Sequence, residues 1–149
     1  MTTRRFAEGT TVGVDSSRGE ITGILTKHGV QRMAWASEPE GDQLTFELGG
    51  HRYLFRIARP TVDDLRAQYR ADGRDWSRVL DSQAKVAAEW RRRWRANVLL
   101  LKAKLEFAEG EASTVMRELM PYALLRDGRT LEEAIVAGDS SVPLLGTGR

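Results

Sequence analysis

The sequence contains no cysteine, only two histidines and four prolines, and no long run of apolar residues. Without cysteine, the chain cannot form disulfide bonds, use a thiol nucleophile or hold a cysteine-ligated metal. His28 and His51 have no acidic residue beside them at metal-binding spacing, so we expect no metal site and no cofactor. No stretch approaches the roughly 20 apolar residues of a membrane span, and the N-terminus carries no signal-peptide pattern. These absences predict a cytoplasmic protein that packing alone stabilises.

The charge of the chain is small overall but unevenly distributed. The net charge is +2 over 149 residues, a length typical of one domain. Residues 59–109 contain twelve lysines and arginines against eight acidic residues, and most of that excess comes from the RRRWR run at 91–95. Such a run favours an anionic partner, because the planar guanidinium group fits phosphate and carboxylate groups.

The first half of the chain has the patterns of a small antiparallel sheet. The alternation of apolar and polar residues predicts a short strand at 11–15. Ser17 with Glu20 forms a capping-box pattern, which predicts a helix that stops at Gly29. Three further strands are predicted at 30–36, 44–48 and 51–58, with a turn at 39–42 and a glycine hairpin at 49–50. Alternating apolar residues, including Tyr53 and Phe55, predict that one sheet face is core and the other faces solvent.

The second half is predicted to be mainly helical. Thr61 with Asp64 is expected to cap a helix that runs to about Tyr69, and a loop at 71–76 and a long helix from Ser77 to Gly110 follow. A helix at 113–120 comes next, then an extended piece with a turn at 122–130. Thr130 with Glu133 is expected to cap a last helix that ends at Gly138. The predicted fold class is α+β: a short strand and helix, then a small antiparallel sheet packed on a long C-terminal helix with further short helices. We expect one domain over residues 1–138 and a tail at 139–149.

The long helix carries the most information about function. At 100° per residue, its apolar residues form one narrow seam: Ala87, Trp90, Trp94, Val98, Leu101, Leu105 and Ala108. Basic residues flank this seam, so the helix is predicted to bury one side and present cations beside it. The candidate nucleic-acid-binding residues are Arg91, Arg92, Arg93, Arg95, Lys102, Lys104 and, in the preceding loop, Trp76. Cations at helical spacing can contact several phosphates in a row, and an exposed tryptophan can stack on a base.

A solvated helix flank is the competing interpretation of these cations. The internal pairs expected on such a flank, each four residues apart, are Glu89 with Arg93 and Lys102 with Glu106. Arg91 and Arg92 favour the binding interpretation, because neither has an acidic residue four positions away. Trp90 and Trp94 lie on the seam and are expected in the core rather than in a binding site.

Three segments resemble a family of small proteins carried by bacteriophages, prophages and other mobile elements. They are WRRRWRANVLLLKAKLEFAEG at 90–110, MPYALLRDGRTLEEAI at 120–135 and TTVGVDSSRGEITGILTKHGVQRMAW at 10–35. The resemblance implies an origin in a mobile element and a place in the cytoplasm of a bacterial host. It favours a role in nucleic-acid transactions, followed by inhibition of host defence, and it implies no catalytic residue.

Two functions remain open from the sequence. The first is non-catalytic binding of DNA or RNA, without sequence preference, through the basic flanks of the long helix. The second is a protein–protein interaction module, either a homodimer or an inhibitor of a host protein, that uses Leu99, Leu100 and Phe107 on the side of the helix opposite the seam. We expect no enzyme, because the sequence has no Ser/His/Asp set, Gly-rich phosphate loop or zinc motif.

Overall fold

A computed structural model describes residues 4–110 and 113–139 of the chain. The elements in chain order are α1 (Val14–Lys27), β1 (Met33–Glu38), β2 (Gly41–Leu48), β3 (His51–Ala58), α2 (Val62–Ala71), α3 (Ser82–Glu109), α4 (Val115–Leu119) and α5 (Leu131–Val136). Short 3-10 turns lie at Trp76–Arg78 and Met120–Tyr122. The predicted α+β class, with a small antiparallel sheet and one long helix, is confirmed.

The sheet is a three-stranded antiparallel meander in the order β1-β2-β3. Gly49 and Gly50 both have positive φ, at 59° and 81°, as the two central residues of a tight hairpin turn require. The buried side chains of one face are Leu44, Phe46, Tyr53, Phe55 and Ile57. This alternation confirms the predicted core face and the predicted bounds of β3.

The core lies between this sheet face, α1 and α3. The middle of the predicted seam is fully buried there, through Trp94, Val98, Leu101 and Leu105. At the start of the seam Ala87 is exposed and Trp90 is only half-buried, so the seam was predicted too long at this end. A helix of 28 residues is about 42 Å long, whereas an eight-residue strand spans about 26 Å, so the sheet cannot cover the whole helix.

The start of α1 differs from the prediction. Residues 11–15 form no strand; the helix begins at Val14 instead, with Gly13 as its N-cap. Ser17 therefore lies inside the helix, where it is buried, and the expected capping box with Glu20 does not form. The earlier start packs the partly buried Val14 against the core.

The helix starts in the second half follow local capping chemistry. Complete capping boxes form at Thr61 with Asp64 and at Thr130 with Glu133, as their spacing predicts. The long helix begins at Ser82, capped by Asp81, and not at Ser77 as expected. The intervening residues Trp76–Arg78 form a separate 3-10 turn, which Asp75 caps.

The second sheet face is not fully open to solvent, contrary to the prediction. Leu54 points to that face and is only 5% exposed. Arg56, on the same face of β3, makes an ion pair with Glu133, with Nε and Oε1 2.6 Å apart, so α5 lies beside this part of the sheet. The predicted extended piece is present, because Ala123 bridges to Tyr53 at the free edge of β3. The predicted tail lies outside the described residues except for Asp139.

Candidate functional site

The cations of α3 are largely engaged within the protein, and Glu89 is the centre of the most extensive contacts. This glutamate lies on the side of α3 opposite the seam, yet it is only 4% exposed. Arg92 contacts both of its carboxylate oxygens at 2.9 Å. Arg93 Nε donates to Oε1 at 3.2 Å, and Arg5 Nη1 donates to Oε2 at 3.0 Å. We call these four residues the Glu89 cluster.

The Glu89 cluster stays ionised and joins three parts of the chain. Burial by itself raises the pKa of Glu89, but the hydrogen bonds and charges of Arg92, Arg5 and Arg93 outweigh burial and hold this pKa below its usual value. Arg5 also donates to the side chain of Gln68 in α2 at 2.8 Å. The cluster therefore fixes the N-terminal segment and α2 over the first half of α3.

Arg92 has an acidic partner, although no acidic residue lies four positions away from it. Its partner Glu89 is three residues away along the helix rather than four, a spacing that also brings side chains together. Arg92 in addition donates to the carbonyl oxygen of Phe6 at 3.0 Å. The predicted Glu89–Arg93 pair is confirmed, and Arg93 also donates to the carbonyl of Ala58.

Two further cations of the candidate set have internal partners. Arg95 pairs with Glu20 of α1. Lys104 Nζ lies 3.9 Å from a carboxylate oxygen of Glu118 and donates to the carbonyl of the same residue. Of the six candidate cations, only Arg91 and Lys102 have no acidic group within 4.0 Å among the described residues, so the expected Lys102–Glu106 pair does not form.

The tryptophans of α3 are covered by the arginines of the protein itself. Trp94 is completely buried, with its ring centroid 5.4 Å from that of Trp35. The guanidinium of Arg18 lies over both rings, and that of Arg59 lies 4.7 Å from the centre of Trp90. These rings are not free platforms for nucleic-acid bases. Trp94 lies in the core as predicted, whereas Trp90 is only half-buried at the edge of the core.

The buried carboxylate of Asp42, which no pattern in the sequence marks as a partner, holds these arginines in place. Its Oδ2 is 3.1 Å from Arg18 Nη2, and its Oδ1 is 3.7 Å from Arg59 Nη2. The three residues lie on α1, on β2 and after β3, so no local spacing marks them as partners. Asp42 neutralises the two cations that cover the tryptophans.

Trp76 is half-buried rather than displayed in an open loop. Its ring meets that of Tyr69 edge to face, with centroids 5.0 Å apart and an interplanar angle of 82°. Arg74 lies over the same Tyr69 ring at 4.1 Å. The predicted nucleic-acid-binding residues therefore do not form one continuous surface: Trp76 lies near the start of α3, away from Lys102 and Lys104.

The second half of α3 has an open apolar side, which we call the open stripe: Ala96, Leu100, Ala103 and Phe107. It lies on the same side of the helix as Glu89, beyond the part that α2 and the N-terminal segment cover. Leu100 is 39% exposed and Phe107 is 53% exposed, so the described residues leave both side chains largely uncovered. Leu99 is half-buried at the edge of the stripe.

Among the described residues, neither histidine belongs to a metal-binding group. Within the part of the chain that the structure describes, no three histidine, cysteine or acidic side chains lie close enough to hold a metal ion. His28 lies beside Glu109, with 3.8 Å between Nδ1 and Oε2, and His51 bonds to the carbonyl of Gly49 in the hairpin. Over the same residues, no helix is both long and apolar enough to span a membrane.

The fold places the chain among α+β proteins. Comparisons with protein-family models, with curated proteins and with solved structures find no match to this chain. The features that bear on function are therefore the open stripe, the cavities between the helices, and the cations of α3 that have no acidic partner among the described residues.

Proposed function

We propose that this chain is a non-catalytic protein–protein interaction module and that its working form is a homodimer. The observation that carries the proposal is the open stripe on α3. Its residues are spaced by four, three and four positions, which is the spacing of the apolar positions in helices that pack side by side. The exposed Leu100 and Phe107 give this stripe the apolar side chains that an interface core requires.

The stripe is complementary to itself in an antiparallel arrangement. If the two-fold axis passes between residues 101 and 102, Leu100 lies opposite Ala103 of the second copy, and Phe107 lies opposite Ala96. Each large side chain then meets a small one, which lets the two helices approach closely without overlap. A parallel arrangement would place Leu100 against Leu100 and Phe107 against Phe107.

We expect the wild-type protein to sediment as a dimer and the variant Leu100→Glu/Phe107→Glu to sediment as a monomer. Two carboxylates placed on each side of an apolar interface should raise the dimer Kd at least about 100-fold. The variant should keep the melting temperature of a folded monomer, because both side chains are exposed. Sedimentation equilibrium over a range of protein concentrations measures the Kd.

Leu80→Glu is the matched control, since Leu80 is fully exposed and lies outside α3. It should leave the Kd unchanged. A wild-type protein that is monomeric at high concentration, or a double variant that dimerises as well as the wild type, would refute the proposal.

Nucleic-acid binding is the second candidate function, and Arg91 and Lys102 favour it. They lie on the same side of α3, and neither has an acidic partner among the described residues. Lys27 of α1 lines the same groove as Lys102. The resemblance to phage-encoded proteins and a place in a bacterial cytoplasm fit this function. So few unpaired cations support only weak, salt-sensitive binding, micromolar or weaker.

For this candidate we expect the wild type to bind single-stranded or duplex oligonucleotides at low salt. The salt slope is the slope of the logarithm of the binding constant plotted against the logarithm of the salt concentration. The variant Arg91→Gln/Lys102→Gln should lower the magnitude of this slope by about two, one for each lost phosphate contact. Arg92 is left unchanged because its replacement would disturb the Glu89 cluster. Fluorescence anisotropy at several salt concentrations measures the slope.

The control for the binding experiment is Arg126→Gln, a change of an exposed cation in the turn before α5. It should lower the slope less than the double variant does. No binding at low salt, or equal slopes for the wild type and the double variant, would exclude this candidate and leave self-association as the function.

A further inference from the structure

A cavity of about 220 Å³ lies between the N-terminal segment, the end of α2 and the first half of α3. Its charged lining residues are the cations Arg5, Arg74, Lys85 and Arg92 and the carboxylates Glu8 and Glu89. No residue of this cavity belongs to the open stripe, and Arg91 and Lys102 are not part of it. It is therefore separate from both surfaces considered above.

Both carboxylates of the cavity are already engaged. The oxygens of Glu89 accept from the three arginines of the Glu89 cluster. Glu8 Oε2 accepts from the backbone N–H of Arg5 at 2.7 Å. Neither carboxylate is within 4.0 Å of Arg74 or Lys85, so these two cations are not neutralised from inside the cavity.

Arg74 is held in a fixed orientation by Tyr69. Its guanidinium lies 4.1 Å from the centre of the Tyr69 ring, and Nη2 donates to the tyrosine hydroxyl at 3.1 Å. Tyr69 is itself buried, so it supports the guanidinium as a rigid base. Among the described residues Arg74 has no acidic partner, and its remaining N–H groups are available to a ligand. Lys85 is exposed and has no described partner either.

We propose that this cavity binds a phosphate group, either as inorganic phosphate or as a phosphomonoester. The arginine fork donates two parallel hydrogen bonds to phosphate oxygens, and a lysine adds a mobile positive charge. Because Tyr69 already orients Arg74, little conformational entropy is lost on binding. The cavity volume of about 220 Å³ is smaller than the roughly 300–1,000 Å³ of cavities that bind larger organic ligands. This size favours a small anion over a whole nucleotide.

The phosphate group has two possible sources, a free phosphate or the terminal phosphate of a nucleic acid. The recognition chemistry is the same for both, so the experiment has an arm for each. The first arm titrates the protein with inorganic phosphate. The second compares two oligonucleotides of equal sequence, one with a 5′-phosphate and one with a 5′-hydroxyl.

We expect inorganic phosphate to shift the backbone amide resonances of Lys85 and Ala88, which line the cavity. The phosphate Kd, measured by calorimetry, should rise about tenfold in Arg74→Gln and in Lys85→Gln, because each change removes one charged contact. Arg126→Gln removes an exposed cation outside the cavity and is the matched control. Equal melting temperatures show that the variants are folded.

The two arms separate the sources. If the wild type prefers the 5′-phosphorylated oligonucleotide and Arg74→Gln abolishes this preference, the cavity binds the phosphorylated ends of nucleic acids. Phosphate binding without such a preference would assign it to a free phosphate or a small phosphomonoester. Absence of resonance shifts with phosphate, or a phosphate Kd that neither variant changes, would overturn the proposal whatever the oligomeric state of the protein.

Discussion

Replacement of Trp94 by alanine is expected to lower the free energy of unfolding by about 3–5 kcal/mol. The side chain is completely buried, and its ring packs against those of Trp35 and Trp90. Its removal leaves a cavity that the rigid sheet and α1 cannot close, and it withdraws a ring from beneath Arg18. Urea denaturation followed by circular dichroism measures the change.

Leu80→Ala is the control for this loss, because it removes a fully exposed side chain and should change the free energy of unfolding by less than about 0.5 kcal/mol. A loss below about 1.5 kcal/mol for Trp94→Ala would mean that the core between the sheet and α3 is not packed as described.

Replacement of Glu89 by glutamine is expected to lower the free energy of unfolding by about 3 kcal/mol. The change removes the negative charge that Arg5, Arg92 and Arg93 share, and leaves three guanidinium groups close together around a buried amide. The three arginines are partly exposed, which places the loss at the lower end of the range for broken buried ion pairs. Glu106→Gln, on the exposed side of the same helix, is the matched control.

The pH dependence of stability tests the same cluster. Because the folded protein holds the pKa of Glu89 below its usual value of 4.5, the stabilisation from this group is fully present above pH 4.5. It is lost as the pH falls below 4.5 and through the lower pKa of the folded state. The difference in stability between the wild type and Glu89→Gln should therefore shrink over that range. A constant difference down to pH 3 would show that the charge of Glu89 is not what stabilises the cluster.

Local chemistry explains which parts of the fold were predictable. The glycine hairpin at 49–50 and the capping boxes that start at Thr61 and Thr130 depend on residues a few positions apart, and all three were predicted correctly. The centre of the seam, Trp94 to Leu105, was predictable because helical periodicity alone aligns these residues. The start of α1 could not be predicted in this way, because the packing of Val14 depends on core residues that are distant in the sequence.

The candidate site was harder to predict than the fold. The sequence places the basic residues beside the seam, but it does not show which acidic groups reach them. Arg95 is bound by Glu20, which lies 75 positions away, and the Glu89 cluster includes Arg5, which is 84 positions away. Such pairs form through tertiary packing, so spacing along one helix overestimated the number of free cations.

The Glu89 cluster also has a consequence for the order in which the protein folds during synthesis. Arg5 leaves the ribosome 84 residues before Glu89 does, so Arg5 cannot reach this partner until the first half of α3 has been made. Closing a loop of that length carries an entropic cost. On the ribosome, the meander of β1, β2 and β3 is therefore synthesised before Glu89 can bind Arg5.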